Sequence, residues 1–517
     1  MAVERGAKRL RKLVETANDT EFLDLCWAVD ALQTDRVPEA SRHITFPRGA
    51  AMARFEGRLG IYPWELESVL GELFIREKRA LRPGPNRVLN CRKFSAMAVV
   101  INALRRAEND QAGTYLKRFC VLDELHRIAQ RTFPWQAGYF NRVQFYRYLY
   151  IYGGDECARF FQQRNGLRIH ELALVAFLLY VHFQKQPTFN GDLQLTNEFV
   201  QGSTFRAAVS LLSKPIGDLR RESREQLMRT TARWGVRPPI AFRPSLLRSF
   251  PLVCVSPNSY KAPLPELLSL RATAGLYYDL VPGGQGLLNE CNARFESYCV
   301  ALTNALVPKL DAVGEYRYRI GAREYRSCDM IVRQGGELAL IVECKASKLT
   351  FDAQFAENPT LVAKTGYDQL VKGVVQLWRF QAHTRLGATR ERCRGTRPLA
   401  LLVTLDEWLL MSRELRKQIV ASAETLAADD PCITSEDRCE VVFTSVKDYE
   451  RTLIQANEFT LFEAIRHAGT ESYVGWLLPD VHKKTTGLRL DKPYPFELRD
   501  VLPWWDTLGA PDHQSAA

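Results

Sequence analysis

The chain has 517 residues, of which 46% are hydrophobic and 25% are charged, and its formal net charge is +11. This composition is ordinary for a soluble globular protein, and the length suits about two to four domains of roughly 100–200 residues. The excess of Lys and Arg suits a polyanionic partner such as nucleic acid, or an anionic membrane surface, although it also occurs in proteins that are merely soluble.

The cysteines and the apolar segments bear on where the protein works. No C-x-x-C pair occurs among the twelve cysteines, and no Cys/His cluster has zinc-ligand spacing, so we expect a reducing cytosol and no disulfide framework. The charged N-terminus lacks the apolar core of a signal peptide. The longest apolar run, residues 172–183, is shorter than the roughly 20 residues of a membrane helix and predicts a buried helix. We therefore expect a cytoplasmic protein with no membrane association.

The first half of the chain is predicted to be helical. Residues 1–245 contain apolar residues at helical spacing, as in residues 19–33 after a cap at Asp19 or Thr20, and a helix is expected to start near Pro63. We interpret this region as a recognition or regulatory part. Residues 246–285 are dense in proline, which breaks helices, and predict a linker.

From residue 286 the pattern alternates between helices and strands. We predict an α/β domain over residues 286–470, with helices flanking a mixed sheet, followed by a tail over 471–517 that has no clear period. The predicted helices cover residues 286–306, 366–383 and 414–427, and the predicted strands cover residues 315–320, 329–333, 338–346, 398–405 and 439–445.

One strand of this domain carries charges at its end. Glu343 and Lys345 share a face because strand side chains alternate, whereas Cys344 points toward packing. Charges on a buried strand are costly unless they are paired or bind a metal. Asp329 begins the preceding strand, and an odd hairpin loop or a β-bulge would place it on the face of Glu343. Two carboxylates can hold Mg²⁺, and an adjacent lysine can orient water, so the pattern predicts phosphodiester cleavage.

This arrangement resembles the PD-(D/E)XK nuclease superfamily, which has the restriction-endonuclease-like fold. Asp329 followed by Glu343-Cys344-Lys345 on adjoining strands is similar to the motif of that family, although Cys328 stands in place of its proline. Glu296 on the helix before resembles an acidic residue of many members. Gln376 on the helix after resembles a glutamine of the exonuclease-type branches. The resemblance covers roughly residues 286–450 of the chain.

The resemblance implies roles for these residues and a function. Asp329 and Glu343 would bind Mg²⁺ or Mn²⁺ with the backbone carbonyl of Cys344, and Lys345 would assist the attacking water, with Glu296 and Gln376 as further catalytic residues. The implied enzyme is a metal-dependent endonuclease or exonuclease acting on DNA rather than RNA. It also implies a restriction or anti-phage defence effector, with a protein partner or a homodimer.

Other interpretations remain open on the sequence alone. The domain could be a catalytically inactive nuclease-like module that binds nucleic acid or protein, or residues 1–245 could be the main functional part as an interaction scaffold. Glu343 and Lys345 could lie in solvent on a surface hairpin. Glu296 and Gln376 could be ordinary residues of solvated helix faces.

Overall fold

The computed structural model describes residues 5–51, 57–78, 89–115, 121–191, 200–393, 397–409 and 411–509 and is mixed α/β. The chain divides into two compact units. The helical unit comprises residues 1–120, 131–282 and 498–517, and the sheet unit comprises residues 121–130 and 283–497.

Helices predominate in the helical unit, as the sequence predicts for residues 1–245. They are α1 (Arg5–Thr16), α2 (Asp19–Gln33), α3 (Val37–Ser41), α4 (Arg48–Ala51), α5 (Pro63–Ile75), α6 (Phe94–Tyr115), α7 (Val121–Ala137, shared with the sheet unit), α8 (Arg142–Tyr152), α9 (Asp155–Asn165), α10 (Ile169–Lys185), α11 (Gly202–Leu212), α12 (Ile216–Trp234), α13 (Glu266–Ala272) and α14 (Leu276–Leu280). A small sheet of order β1-β4-β3-β2 joins them. Its strands are β1 (Thr188–Asn190), β2 (Ser213–Pro215), β3 (Leu252–Ser256) and β4 (Ser259–Lys261).

Local signals locate several of these helices. Helix α5 begins at Pro63 as predicted, whereas the cap of α2 is Asn18, one residue before the predicted cap, and its side chain accepts from the amide of Glu21 at 3.1 Å. The apolar run of residues 172–183 lies in α10 and is largely buried. Within the described ranges no single helix is long and apolar enough to span a membrane, although α9 and α10 together pass that test with a bend of 67° between them.

The proline-rich segment 246–285 is not a linker. It contains β3, β4, α13 and α14, and Val253, Leu264 and Leu267 belong to the core of the helical unit. Proline excludes long helices, but it permits short strands, turns and the first turns of helices, so a dense proline pattern is compatible with packed structure. The main segment of the sheet unit begins at residue 283, three residues before the predicted start at 286.

A five-stranded mixed sheet forms the centre of the sheet unit. Its order is β11-β10-β9-β8-β5, in which β9, β10 and β11 are parallel and β8 runs antiparallel to both β9 and β5. A separate two-stranded ribbon pairs β6 with β7. The strands are β5 (Asp311–Gly314), β6 (Arg317–Ile320), β7 (Arg323–Arg326), β8 (Met330–Gln334), β9 (Glu337–Lys345), β10 (Leu399–Thr404) and β11 (Val441–Ser445).

Helices complete the sheet unit and cover its sheet. Apolar residues of α18 and α19, including Trp378 and Ile419, form one core with Ile341, Leu402 and Phe443 of the sheet. The helices are α15 (Gln285–Leu306), α16 (Phe351–Phe355), α17 (Pro359–Val362), α18 (Lys364–Arg385), α19 (Arg413–Ala427), α20 (Val446–Gln455), α21 (Glu458–Ala468) and α22 (Leu478–Thr486).

The predicted tail over 471–517 is also revised. Residues 471–497 belong to the sheet unit and include α22, and the Lys492 ammonium donates to the carbonyls of Leu306 at 2.5 Å and Ala456 at 2.6 Å. Residues 498–509 group instead with the helical unit, where the Trp504 indole donates to the His170 carbonyl at 2.8 Å. Such single anchoring contacts produce no sequence period, which is why the segment resembles a tail.

Candidate active site

The hairpin of β8 and β9 sets the position of Asp329. Its two-residue turn is Gly335-Gly336, with φ of 60° and 83°, as a type I′ turn requires. A β-bulge between Val332 and Arg333 then shifts the register, and beyond it Met330 lies opposite Val342. Continuing that register places Asp329 opposite Glu343, on the same face of the sheet. The hairpin thus uses the bulge, the second of the two solutions that the sequence allowed.

The two carboxylates are buried, and each has a defined partner. Asp329 is 8% exposed, and its Oδ2 accepts from the Cys344 amide at 2.7 Å. Glu343 is 1% exposed, and its Oε1 accepts from the Lys345 ammonium at 2.5 Å. The second oxygen of Glu343, Oε2, is buried and accepts no hydrogen bond from the described residues, but a protonated Glu343 carboxyl can donate to Asp329. These exposures contradict the surface-hairpin interpretation of Glu343.

Burial and mutual repulsion perturb the titration of this pair. Burial raises the pKa of Glu343 to about 8, and the charge of Asp329 adds to the shift. Burial likewise raises the pKa of Asp329, although Lys345 and the Cys344 amide oppose the change. For Lys345 burial lowers the pKa, but attraction to Glu343 and Asp329 outweighs it, so the net pKa is raised. Ionising both carboxyls leaves one ammonium against two negative charges, a deficit that a cation could offset.

Helix α18 holds Lys345 in place. The Lys345 ammonium donates to the side-chain oxygen of Gln376 at 3.2 Å in addition to Glu343. Gln376 is exposed, so it reaches the site from the solvent side of the helix. Gly373, one turn earlier, faces the site: a Cβ there would lie 3.0 Å from Lys345 Cε and 2.9 Å from Leu402 Cδ1. An alanine there would therefore have to displace the ends of the Lys345 and Leu402 side chains.

Two further acids lie near this group. Glu296 on α15 is half-buried, and burial together with the charges of Asp329 and Glu315 raises its pKa to about 7, while Lys345 and Arg326 act in the opposite direction. It is thus not an ordinary residue of a solvated helix face. Glu315 follows β5 and was not anticipated from sequence. Burial raises its pKa as well, and its Oε1 lies 3.2 Å from Arg326 Nη1.

Cys328 and Cys344, which flank the two carboxylates in sequence, are both buried. Cys328 is 1% exposed and belongs to the core under α18. The Cys344 thiol meets that of Cys299 on α15, and this contact and burial raise its pKa well above the usual value. The Cys344 side chain therefore packs away from Asp329 and Glu343, as strand alternation predicts. Any part of Cys344 in metal binding would fall to its main-chain carbonyl.

Asp329 and Glu343 form a two-carboxylate donor set for a metal ion. Among the described residues no group of three or more His, Cys, Asp or Glu side chains is arranged to hold a metal. The arrangement at Asp329 and Glu343 offers two buried carboxylates and one oxygen without a donor, which fits a hard oxygen-preferring cation that keeps several waters.

No family model, no curated protein and no solved structure matches the chain.

Proposed function

We propose that the sheet unit is a restriction-endonuclease-like domain and that the protein is a metal-dependent nuclease acting on DNA. The observation that carries the proposal is the convergence of Asp329, Glu343 and Lys345 on one face of the sheet, where two buried carboxyls share one ammonium. Buried charges cost free energy unless they are paired or bind a metal, and buried carboxyls with perturbed pKa values are typical of sites kept for chemistry.

Each residue has a role that follows from its surroundings. Asp329 and Glu343 would hold Mg²⁺ or Mn²⁺, with the Cys344 carbonyl as a further ligand. Lys345, fixed by Glu343 and Gln376, would orient a nucleophilic water and offset negative charge on the phosphate. Glu296, whose pKa is about 7, can hold or release a proton near neutral pH. An ion held there would supply Lewis acidity toward the phosphate and would lower the pKa of a bound water.

A cleavage assay tests the proposal. Plasmid, linear duplex, single-stranded DNA and RNA are incubated with Mg²⁺, Mn²⁺ or EDTA, using the wild type and the variants Lys345→Ala and Asp329→Ala. We expect cleavage with either metal and a loss of roughly 10²-fold or more in each variant, as for the removal of one stabilising group. Lys417→Ala, an exposed lysine of α19, is the matched control and should retain activity. Activity that survives both site substitutions would place the chemistry elsewhere.

A catalytically inactive binding module is the second candidate. It is favoured by the 2.5 Å contact in which Lys345 already neutralises Glu343, because such a pair needs no metal. A metal titration separates the two candidates. If the site is that of a nuclease, Mg²⁺ should raise the thermal denaturation midpoint of the wild type but not that of Glu343→Gln, since a ligand that binds only the folded state stabilises it. An inactive module should show no metal-dependent shift and no cleavage, with DNA binding intact.

A further inference from the structure

The ribbon of β6 and β7 lies in the connection between β5 and β8 and leads directly into the candidate site. It pairs with no other strand among the described residues. Its base is fixed by two hydrogen bonds: the Ser327 amide donates to the Tyr316 carbonyl, and the Tyr316 amide donates to Ser327 Oγ, both at 2.9 Å. Only Ser327 and Cys328 separate Arg326 at the end of the ribbon from Asp329, so the Cα atoms of Arg326 and Asp329 are at most about 11 Å apart.

One face of the ribbon anchors it to α18. Tyr318 and Tyr325 lie opposite each other, and both rings contact His383, with centroids 5.7 Å and 4.7 Å away. The Tyr318 hydroxyl and His383 Nδ1 also share a hydrogen bond of 2.8 Å. The aromatic side chains of the ribbon are thus used for packing, and the ribbon has a fixed orientation.

The other face carries three exposed arginines. Alternation places Arg317, Arg319 and Arg326 on it, with side-chain exposures of 62%, 77% and 65%. Glu324 is the one acid among the strand residues of that face, at 3.1 Å from Arg317 and 4.0 Å from Arg319. Glu324 and Glu315, which pairs with Arg326, together offset two of the three guanidinium charges and leave one in excess, and the exposure of the arginines means that packing does not require them. The face therefore has positive charge available for a partner.

This positive face borders the acidic site. Arg326 pairs with Glu315 at 3.2 Å and lowers the pKa of Glu296, whereas Asp329 raises it, so the ribbon and the carboxylates share one electrostatic environment. A polyanion bound by the arginines would therefore lie at the edge of the acidic cluster. A metal-dependent site made of carboxylates needs such an element, because the carboxylates themselves repel phosphate.

We propose that the Arg317/Arg319/Arg326 face of the β6–β7 ribbon binds the phosphate backbone of duplex DNA and positions it over the candidate site. This rests on the proposed nuclease function and names its substrate. The face offers guanidinium groups but no aromatic side chain for stacking bases, which favours backbone contact over single-strand binding. A two-stranded ribbon fits the roughly 12 Å major groove of B-DNA, whereas the major groove of A-form RNA is too narrow.

Binding is measured by fluorescence anisotropy with a labelled 20-base-pair duplex in EDTA, so that no cleavage occurs. The protein is the full chain carrying Lys345→Ala, with Arg317→Ala/Arg319→Ala as the ribbon variant. We expect Kd to rise about tenfold or more and the slope of log K against log salt to fall by about 1.8, since each phosphate contact contributes about 0.9. Arg317→Lys/Arg319→Lys keeps both charges and should retain the salt slope of the Lys345→Ala parent. The smaller slope of the alanine variant would then follow from the two missing charges.

The matched control is Arg451→Ala/Arg466→Ala, which removes two arginines of 51% and 58% exposure from α20 and α21. It should leave the salt slope unchanged. Equal losses in the ribbon and control variants would overturn the proposal, because only net charge would matter. Equal affinity and equal salt slope for single-stranded DNA or RNA of the same length would overturn the duplex assignment.

A cleavage assay of Arg317→Ala/Arg319→Ala, made in a chain that keeps Lys345, distinguishes failure of this proposal from failure of the nuclease proposal. We expect KM for duplex DNA to rise about tenfold while kcat changes less, as for a lost binding contact. Wild-type cleavage with unchanged KM in the ribbon variant would refute the ribbon and leave the nuclease. Ribbon-dependent duplex binding without cleavage by any version would refute the nuclease and leave a duplex-binding surface.

Discussion

At the scale of single residues, Gly373 shows how the candidate site depends on a position without a side chain. Glycine within a helix costs about 0.5–1 kcal/mol relative to alanine. Here it allows α18 to lie against the strand residues that carry Glu343 and Lys345. The sequence does contain a signal, since a glycine inside an otherwise amphipathic helix often marks close packing. The signal does not say which side chain the missing Cβ would meet.

Replacing Gly373 with alanine tests this close approach. We expect Gly373→Ala to destabilise the protein by about 1–3 kcal/mol, as overpacking does, and to reduce metal-dependent cleavage by displacing Lys345. Thermal denaturation and the cleavage assay are the measurements. Gly71→Ala in α5 is the control, because a Cβ there meets nothing within 4 Å and alanine should stabilise the helix. An unchanged denaturation midpoint in Gly373→Ala would mean that the Leu402 and Lys345 side chains move aside with no net loss of stability.

Residue-level prediction succeeded where alternation decides the outcome. The shared face of Glu343 and Lys345, and the opposite direction of Cys344, follow from the pleat of a strand and need no tertiary information. The position of Asp329 depended on a bulge, which the sequence could only offer as one of two solutions. Glu315 was missed because it follows β5, a four-residue strand with no recognisable pattern.

At the scale of elements, the turn between β8 and β9 controls the register of the whole site. Both Gly335 and Gly336 have positive φ, a conformation that costs other residues about 1–2 kcal/mol each, with asparagine among the better tolerated. A slip of one residue would turn Asp329 to the face opposite Glu343. The turn therefore determines the geometry of the candidate site although it lies at the far end of the strands.

Substitutions at this turn should separate conformation from composition. We expect Gly336→Ala to lower the free energy of unfolding by about 1–2 kcal/mol and Gly335→Asn to cost less, as judged by thermal denaturation. Gly314→Ala in β5 is the control, since Gly314 has no positive φ and a Cβ there meets nothing within 4 Å. If Gly314→Ala and Gly336→Ala were equally harmful, the left-handed conformation would not be the cause.

The elements that sequence predicted best are those with long apolar runs. β9, β10 and β11 are rich in valine, isoleucine and leucine, as buried strands are, and all three were anticipated. β7 was missed because its Arg-Glu-Tyr-Arg sequence is polar on both faces, and β6, although predicted, pairs with β7 and not with the central sheet. The short strands of the helical unit escaped for a similar reason, since three to five residues are too few for a period.

At the scale of the molecule, the sheet unit is assembled from separate parts of the chain. Residues 121–130 of α7 belong to it, through contacts of the His126 imidazole with the Ala353 carbonyl at 3.2 Å and of the Gln130 amide with the Glu407 carbonyl. Residues 471–497 complete it at the other end. The sequence placed the unit at 286–470, because contacts between distant segments leave no local pattern.

Fragments of the chain test this assembly. We expect residues 286–470 expressed alone to lack a cooperative thermal transition, because the fragment loses α22 and the two hydrogen bonds of Lys492. Residues 283–497 should melt cooperatively, because residues 121–130 are the only part of the sheet unit that this fragment lacks. Its melting temperature should be lower than that of the sheet unit in the full chain. Circular dichroism during heating is the measurement. A fragment 286–470 that melts as sharply and as high as 283–497 would show that the C-terminal segment is dispensable.

The divided origin of the sheet unit has a consequence for the order of events on the ribosome. Residues 121–130 leave the ribosome early, but the segment that closes the unit is added roughly 370 residues later, which takes on the order of 20–70 s at about 5–20 residues per second. Every nascent chain that ends before residue 497 therefore lacks part of the unit that carries Asp329 and Glu343. Under the proposed function, the candidate site would therefore stay incomplete until residues 471–497 had been synthesised.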